Sequence, residues 1–142
     1  MATILIVEDE PRIVSFLSKG LRRAGYQIQV AQDGFQALPL ATSGKFDLIL
    51  LDLGLPGLDG QSVLSATRSH GIQTPIIVVT AQADAHECQK LLLLGANDYI
   101  AKPFRFNTLL NQVHSYVKPA TEKFSAAGRK SESARKRLVD IL

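Results

Sequence analysis

Cysteine is nearly absent from this chain: Cys88 is the single one in 142 residues. An internal disulfide framework is therefore excluded, and a reducing compartment fits. The N-terminal stretch Thr3-Ile4-Leu5-Ile6-Val7-Glu8 has no basic flank and is apolar for only four residues. It reads as neither a signal peptide nor a membrane span. The expected location is the cytoplasm, with no membrane partner. An excess of one charge is also missing from most of the chain. Residues 1–118 carry ten Lys/Arg and ten Asp/Glu, while residues 119–142 carry six and three, so the net charge of +3 comes from the tail. The high pI is thus no reason to expect residues 1–118 to bind nucleic acid. Length and a 46% hydrophobic, 20% charged composition match one ordinary globular domain.

What is present is a set of short, wholly apolar runs. Ile4-Leu5-Ile6-Val7, Leu48-Ile49-Leu50-Leu51 and Ile76-Ile77-Val78-Val79 read as strands buried on both faces. Tyr26–Ala31 alternates apolar and polar residues, as an edge strand does. Residues 98–101 form a short fifth strand. Helices are expected over 11–24, 34–43, 61–70, 84–94 and 105–117. The first carries the stripe Ile13, Phe16, Leu17 and Leu21 and stops at Gly25. Pro39 falls inside the second and should kink or shorten it. A β-α unit repeated five times gives an α/β fold, a parallel sheet with helices on both faces. From Pro119 the composition shifts to Ala, Ser, Gly and Lys. Residues 1–118 are read as the domain and 119–142 as a basic linker or tail, with a short helix over 131–142.

The chemistry sits where these strands end. The first strand is followed by Glu8 and Asp9, the third by Asp52, the fourth by Thr80 and the fifth by Lys102. One polar residue after a buried run is ordinary; five at one sheet edge are not, and that edge is where open α/β sheets bind ligands. Two like charges about 4 Å apart cost about 4 kcal/mol at an effective dielectric near 20. Glu8, Asp9 and Asp52 together therefore call for a cation. Lys102 supplies one charge, and a hard divalent ion such as Mg²⁺, which keeps waters and shares phosphoryl oxygens, supplies two. Three carboxylates, a hydroxyl and an ammonium describe a site that handles a phosphoryl group. The bland readings are helix capping for Glu8 or Asp9, which Asp9 is expected to do in any case, and solvation for Thr80 and Lys102. Asp33 and Asp59 are assigned to turns with Gly34 and Gly60. His70, His86 and His114 have no metal-ligand spacing and are placed on the surface, and Cys88 in the core.

The segments Leu5–Glu10, Asp33-Gly34, Asp47–Gly60, Pro75–Ala81 and Gly95–Phe104 together resemble the receiver domain of two-component response regulators, the CheY-like family, over residues 3–117. The resemblance implies strand order 2-1-3-4-5. It implies that Asp52 accepts a phosphoryl group from a sensor histidine kinase or phosphotransfer protein. It places Mg²⁺, with Mn²⁺ as a substitute, on Glu8, Asp9, Asp52 and the backbone carbonyl of Gly54. Thr80 and Lys102 would bind phosphoryl oxygens, and Thr80 and Tyr99 would form the switch. The loop Leu53–Gly60 is most similar to OmpR/PhoB-type receivers, which signal and dimerise through the fourth helix, fifth strand and fifth helix. Here that helix ends Leu91-Leu92-Leu93-Leu94, and four successive positions sweep roughly 300°. At least one leucine must be exposed, so an output partner or a second copy is expected there. No enzyme activity beyond self-phosphorylation and dephosphorylation is expected. An aspartyl phosphatase needs an acid two residues after its nucleophile, where this chain has Gly54. The competing readings are a fragment of a longer DNA-binding transcriptional regulator and a receiver-like scaffold that works without phosphorylation.

Overall fold

A computed structural model describes residues 2–81 and 84–119. The elements alternate as β1 (Thr3–Val7), α1 (Pro11–Arg23), β2 (Gln27–Ala31), α2 (Gly34–Ala41), β3 (Leu48–Asp52), α3 (Gly60–Ser69), β4 (Ile76–Thr80), α4 (Ala85–Leu93), β5 (Asp98–Ala101) and α5 (Phe106–Tyr116). All strand pairs are parallel, in the order β2-β1-β3-β4-β5. β3 and β4 are buried at every position, which is why their sequences are continuous apolar runs. β2 lies at an edge, and Gln27 and Gln29 are its exposed positions. The expected linker and helix of the tail, from residue 120 onward, lie outside the described residues.

Each strand alternates between two cores. Leu5, Val7, Ile49, Leu51 and Val78 pack with Ala37, Val63, Leu64 and Leu91 from α2, α3 and α4. Ile4, Ile6, Leu48, Leu50, Ile77 and Val79 pack with Leu17, Leu21, Leu109 and Val113 from α1 and α5. Side chains buried this completely contribute about 1.5–3 kcal/mol each. α1 buries Leu17 and Leu21, but Phe16, placed on the same stripe by periodicity, is 49% exposed. Its ring meets Phe106 of α5 edge-on, at 5.7 Å, instead of entering the core.

The helix starts show which acids are structural. Pro11 occupies the first helical position of α1, so the cap falls on Glu10, whose side chain accepts from the Arg12 amide; Asp9 is not the cap. Asp33 and Asp59, read as turn residues, are the caps of α2 and α3, accepting from Gln36 N and Ser62 N, both at 2.8 Å. Asp84 caps α4 in the same way. Pro39 does lie within α2, which ends at Ala41, two residues before its expected end. At the sheet edge away from the acids, Arg68 of α3 clasps the carbonyls of Gly95 and Ile72 and the side chain of Asn97. That clasp ties the end of α4 and the start of β5 to α3.

Candidate functional site

The parallel register brings the strand ends together. Val7 pairs with Leu51 and Asp52 with Val79, so Glu8, Asp52 and Thr80 emerge at one edge. Thr80 pairs with Ala101, and the amide of Lys102 donates to the Thr80 carbonyl at 2.8 Å. Glu8, Asp9, Asp52, Gly54, Thr80 and Lys102 all line one cleft of about 540 Å³. Carboxylate oxygens of Glu8, Asp9 and Asp52 lie within 4.8 Å of one another. Tyr99 does not line the cleft. It sits beside Val78 on β5 and packs, half-buried, against the core under α2–α4.

The electrostatics of the cleft are uneven. Glu8 is 3% exposed, Asp52 is also buried, and Asp9 is exposed. Oε2 of Glu8 accepts from the amides of Asp9 and Glu10 at 3.0 and 3.1 Å. Its Oε1 accepts from Lys102 Nζ at 3.1 Å. Lys102 Nζ also lies 3.3 Å from Asp52 Oδ2, while Asp52 Oδ1 accepts from the Gly54 amide at 3.1 Å. Burial holds the Glu8 carboxyl above its usual range, and the neighbouring Asp52 charge pushes the same way, against the bonds from Glu10 and Lys102. For Lys102 burial alone would lower the ammonium. The bond to Glu8 and the charges of Asp52 and Glu8 outweigh it and hold the group above its ordinary value.

This donor set suits a hard cation: three carboxylates in reach of one another, with Gly54 lining the same cleft. Both oxygens of Glu8 are already engaged, so a cation approaching it competes with Lys102. A side chain at position 54 would meet only Asp52 Oδ1, at 3.8 Å, so the approach over Asp52 is open on that side. The cleft wall also includes Glu10, Ile13, Gln61 and Glu87. Sequence reasoning missed these because they come from the caps and first turns of helices rather than from strand ends.

The sequence profile of the response regulator receiver domain matches residues 4–114. This chain belongs to that family. It is 41% identical over 120 residues to the transcriptional regulatory protein PcoR of Escherichia coli, covering 84% of this chain and 53% of PcoR. It is 40% identical over 138 residues to the transcriptional activator protein IrlR of Burkholderia pseudomallei strain 1026b, covering 97% of this chain and 56% of IrlR. These are OmpR/PhoB-type regulators, and the chain spans about half their length. Among solved structures, the receiver domain of the sensor histidine kinase PA1611 of Pseudomonas aeruginosa superposes with a TM-score of 0.73 at 37% identity, covering 81% of this chain and 96% of that one. That structure holds a magnesium ion coordinated in its active-site cleft. The acidic cleft found here occupies the place of the acidic site at which receiver domains bind Mg²⁺.

The remaining single residues fall into place around it. Leu91 is buried and Leu93 is 86% exposed, as the leucine run requires. Cys88 is buried. His70 and His86 are exposed, but His114 is half-buried beside the Tyr26 ring at 5.8 Å. Among the described residues no helix is long and apolar enough to cross a membrane.

Proposed function

We propose that Asp52 is the phosphoacceptor and that the domain relays its phosphorylation to a partner through α4, β5 and α5. The observation that carries this reading is Lys102 Nζ bridging Glu8 and Asp52 at the mouth of an open cleft. A carboxylate oxygen of Asp52 would attack phosphorus in line as the bond from phosphorus to the donor histidine nitrogen of a sensor kinase or phosphotransfer protein breaks. Lys102 would stabilise charge on the transferring oxygens, released in part from its two carboxylates. Asp9, Asp52 and the Gly54 carbonyl would hold Mg²⁺, with Mn²⁺ as a substitute, and Glu8 would complete the acidic shell. The ion would supply charge neutralisation at the phosphoryl oxygens. Thr80 would bond a phosphoryl oxygen, and Tyr99, already packed beneath α4, would report the shift.

Residues 1–118 form the receiver in this reading, with residues 119–142 as a connecting segment. Likeness to PcoR and IrlR favours transcription control as the output, in the cytoplasm. The face that would change carries Leu93 exposed on α4 and only neutral exposed side chains on α5 (Asn107, Thr108 and Asn111). The test is incubation with Mg²⁺ and acetyl phosphate or a phosphorylated histidine kinase. A mass gain of one phosphoryl group, absent in Asp52→Ala, is expected. No gain from either donor would overturn the assignment.

A further inference from the structure

The acidic cleft holds more negative charge than a cation site uses. Its lining carries five carboxylates, Glu8, Asp9, Glu10, Asp52 and Glu87, against the single ammonium of Lys102. Glu8, Asp9 and Asp52 form the cluster that suits a divalent ion. Glu10 is engaged as the cap of α1, where it accepts from the Arg12 amide at 3.3 Å. Glu87 is left over. It stands in the first turn of α4, and its amide, not its carboxylate, meets the Asp84 cap at 2.9 Å. Glu87 is half-buried and makes no ion pair among the described residues.

Helix stability gives an acid at this position a use, because the amino end of α4 attracts negative charge. That end is worth roughly half a positive charge, so it offsets only part of the carboxylate. The remainder acts on the cleft. With Lys102 and a bound Mg²⁺ counted, the lining would still be negative by the charges of Glu10 and Glu87. A cleft lined by one sign of charge selects among the ions that enter it.

Phosphoryl donors differ in the property that this wall reads. At neutral pH acetyl phosphate is a dianion, and its leaving group departs as a carboxylate anion. Phosphoramidate carries an ammonium on its phosphorus, has one net negative charge, and loses a neutral amine. We propose that Glu87 is a specificity determinant that biases transfer to Asp52 toward donors with a protonated nitrogen leaving group and against acyl phosphates. The inference rests on Asp52 as the phosphoacceptor. In the favoured transfer an oxygen of the Asp52 carboxylate bonds to phosphorus as the phosphorus–nitrogen bond breaks. The electron pair of that bond stays on nitrogen, and ammonia departs with its three protons. One negative charge from each reactant becomes the two of the acyl phosphate. Glu87 attracts the ammonium of this donor as it approaches, and repels both the acyl phosphate dianion and its departing carboxylate. A protonated phosphohistidine belongs to the favoured class.

The test measures second-order rate constants for phosphoryl uptake by intact mass, with Mg²⁺ and either acetyl phosphate or phosphoramidate, on the full chain. The ratio of the two constants within one protein cancels any common loss of active fraction. Two unit charges about 8 Å apart in a water-like dielectric alter an encounter about 2.5-fold. The two donors differ by one net charge, so Glu87→Gln should move the ratio toward acetyl phosphate by about 2.5-fold at low salt and Glu87→Lys by about sixfold. High salt should shrink both shifts. Glu87→Asp keeps the charge and should hold the ratio near that of the wild type, which a role in helix packing alone does not require. Uptake from both donors with a ratio indifferent to Glu87→Gln and Glu87→Lys would overturn the role of Glu87 and leave Asp52 in place. An equal shift in Glu87→Asp, or a shift insensitive to salt, would overturn it as well. No uptake from either donor would overturn the phosphoacceptor assignment and this inference with it.

Discussion

Asp9→Asn separates the cost of the acidic cluster from its use. The ligand oxygens of the three acids lie within 4.8 Å of one another, and at an effective dielectric near 20 a pair of charges at that distance costs about 3.5 kcal/mol. Asp9 is exposed, and Lys102 already neutralises part of the buried pair. Screening then reduces the relief on removing its charge to about 1 kcal/mol. For a domain of this size that raises the unfolding midpoint by about 3–5 °C in metal-free buffer. Mg²⁺ acts in the opposite sense on the two proteins. At a hundredfold excess over Kd it adds about 2.7 kcal/mol to the wild type, or roughly 10 °C. Asp9→Asn should lose most of that gain, so the order of the two melting curves reverses when Mg²⁺ is added. Thermal unfolding by circular dichroism, with EDTA and then with Mg²⁺, reads both effects. A variant that is less stable than wild type without metal, or that is stabilised by Mg²⁺ as strongly as wild type, would refute the placement of Asp9 as both a repelling charge and a ligand.

Lys102→Ala removes the cation that competes for Glu8 and Asp52, so calorimetry should show tighter Mg²⁺ binding together with slower phosphoryl uptake from acetyl phosphate. Gly60→Ala should destabilise by about 1–3 kcal/mol in denaturant titration, because a Cβ there would lie 2.6 Å from the Asp52 carbonyl oxygen; it should also slow phosphorylation by displacing the β3–α3 loop. Pro39→Ala, at an exposed position inside α2, should stabilise by about 2 kcal/mol by restoring a helical hydrogen bond. Leu93→Glu should leave stability within about 0.5 kcal/mol. It should alter the oligomeric state or partner binding seen with beryllofluoride; an unchanged response would remove α4 from the output surface.

The sheet was legible because its strands are buried on both faces and so are written as unbroken Ile, Leu and Val runs. Their ends then located Glu8, Asp9, Asp52, Thr80 and Lys102 within a residue, since a parallel sheet gathers all its carboxyl ends at one edge. Helix contributions resisted the same reading. Glu10 reaches the cleft from the cap of α1, and Gln61 and Glu87 from first turns, where direction depends on how each helix packs rather than on its periodicity. Asp33 and Asp59 each precede a glycine, and only backbone geometry distinguishes a turn from a cap. Phe16 obeyed the apolar stripe of α1 but lies at its margin, beside α5 rather than over the sheet. Overall composition balanced charges that the fold separates, so the excess of acid around the cleft was invisible to it.

The charges in the cleft give a reason why the switch would run through a hydroxyl. Glu8, Asp9 and Asp52 with Lys102 leave two negative charges, which one bound Mg²⁺ would cancel. Phosphorylation at the proposed acceptor would turn the single charge of Asp52 into the two of an acyl phosphate, at neutral pH, and leave one negative charge uncompensated. No further cation lines the cleft among the described residues, where Lys102 is the single Lys or Arg. The new oxygens must therefore be met by neutral donors, and Thr80, buried at the end of β4, brings a hydroxyl to that wall. Its strand partner is Ala101, two residues past Tyr99, whose carbonyl accepts from Gln112 of α5. Movement of Thr80 toward the phosphoryl group would thus pull on the strand pair that carries Tyr99 and touches α5. Thr80→Ala should keep phosphoryl uptake but lose the beryllofluoride-induced shift changes in Tyr99 and Gln112. Thr80→Ser, which retains the hydroxyl, should restore most of them. Full shift changes in Thr80→Ala would show that the signal leaves the site by another route.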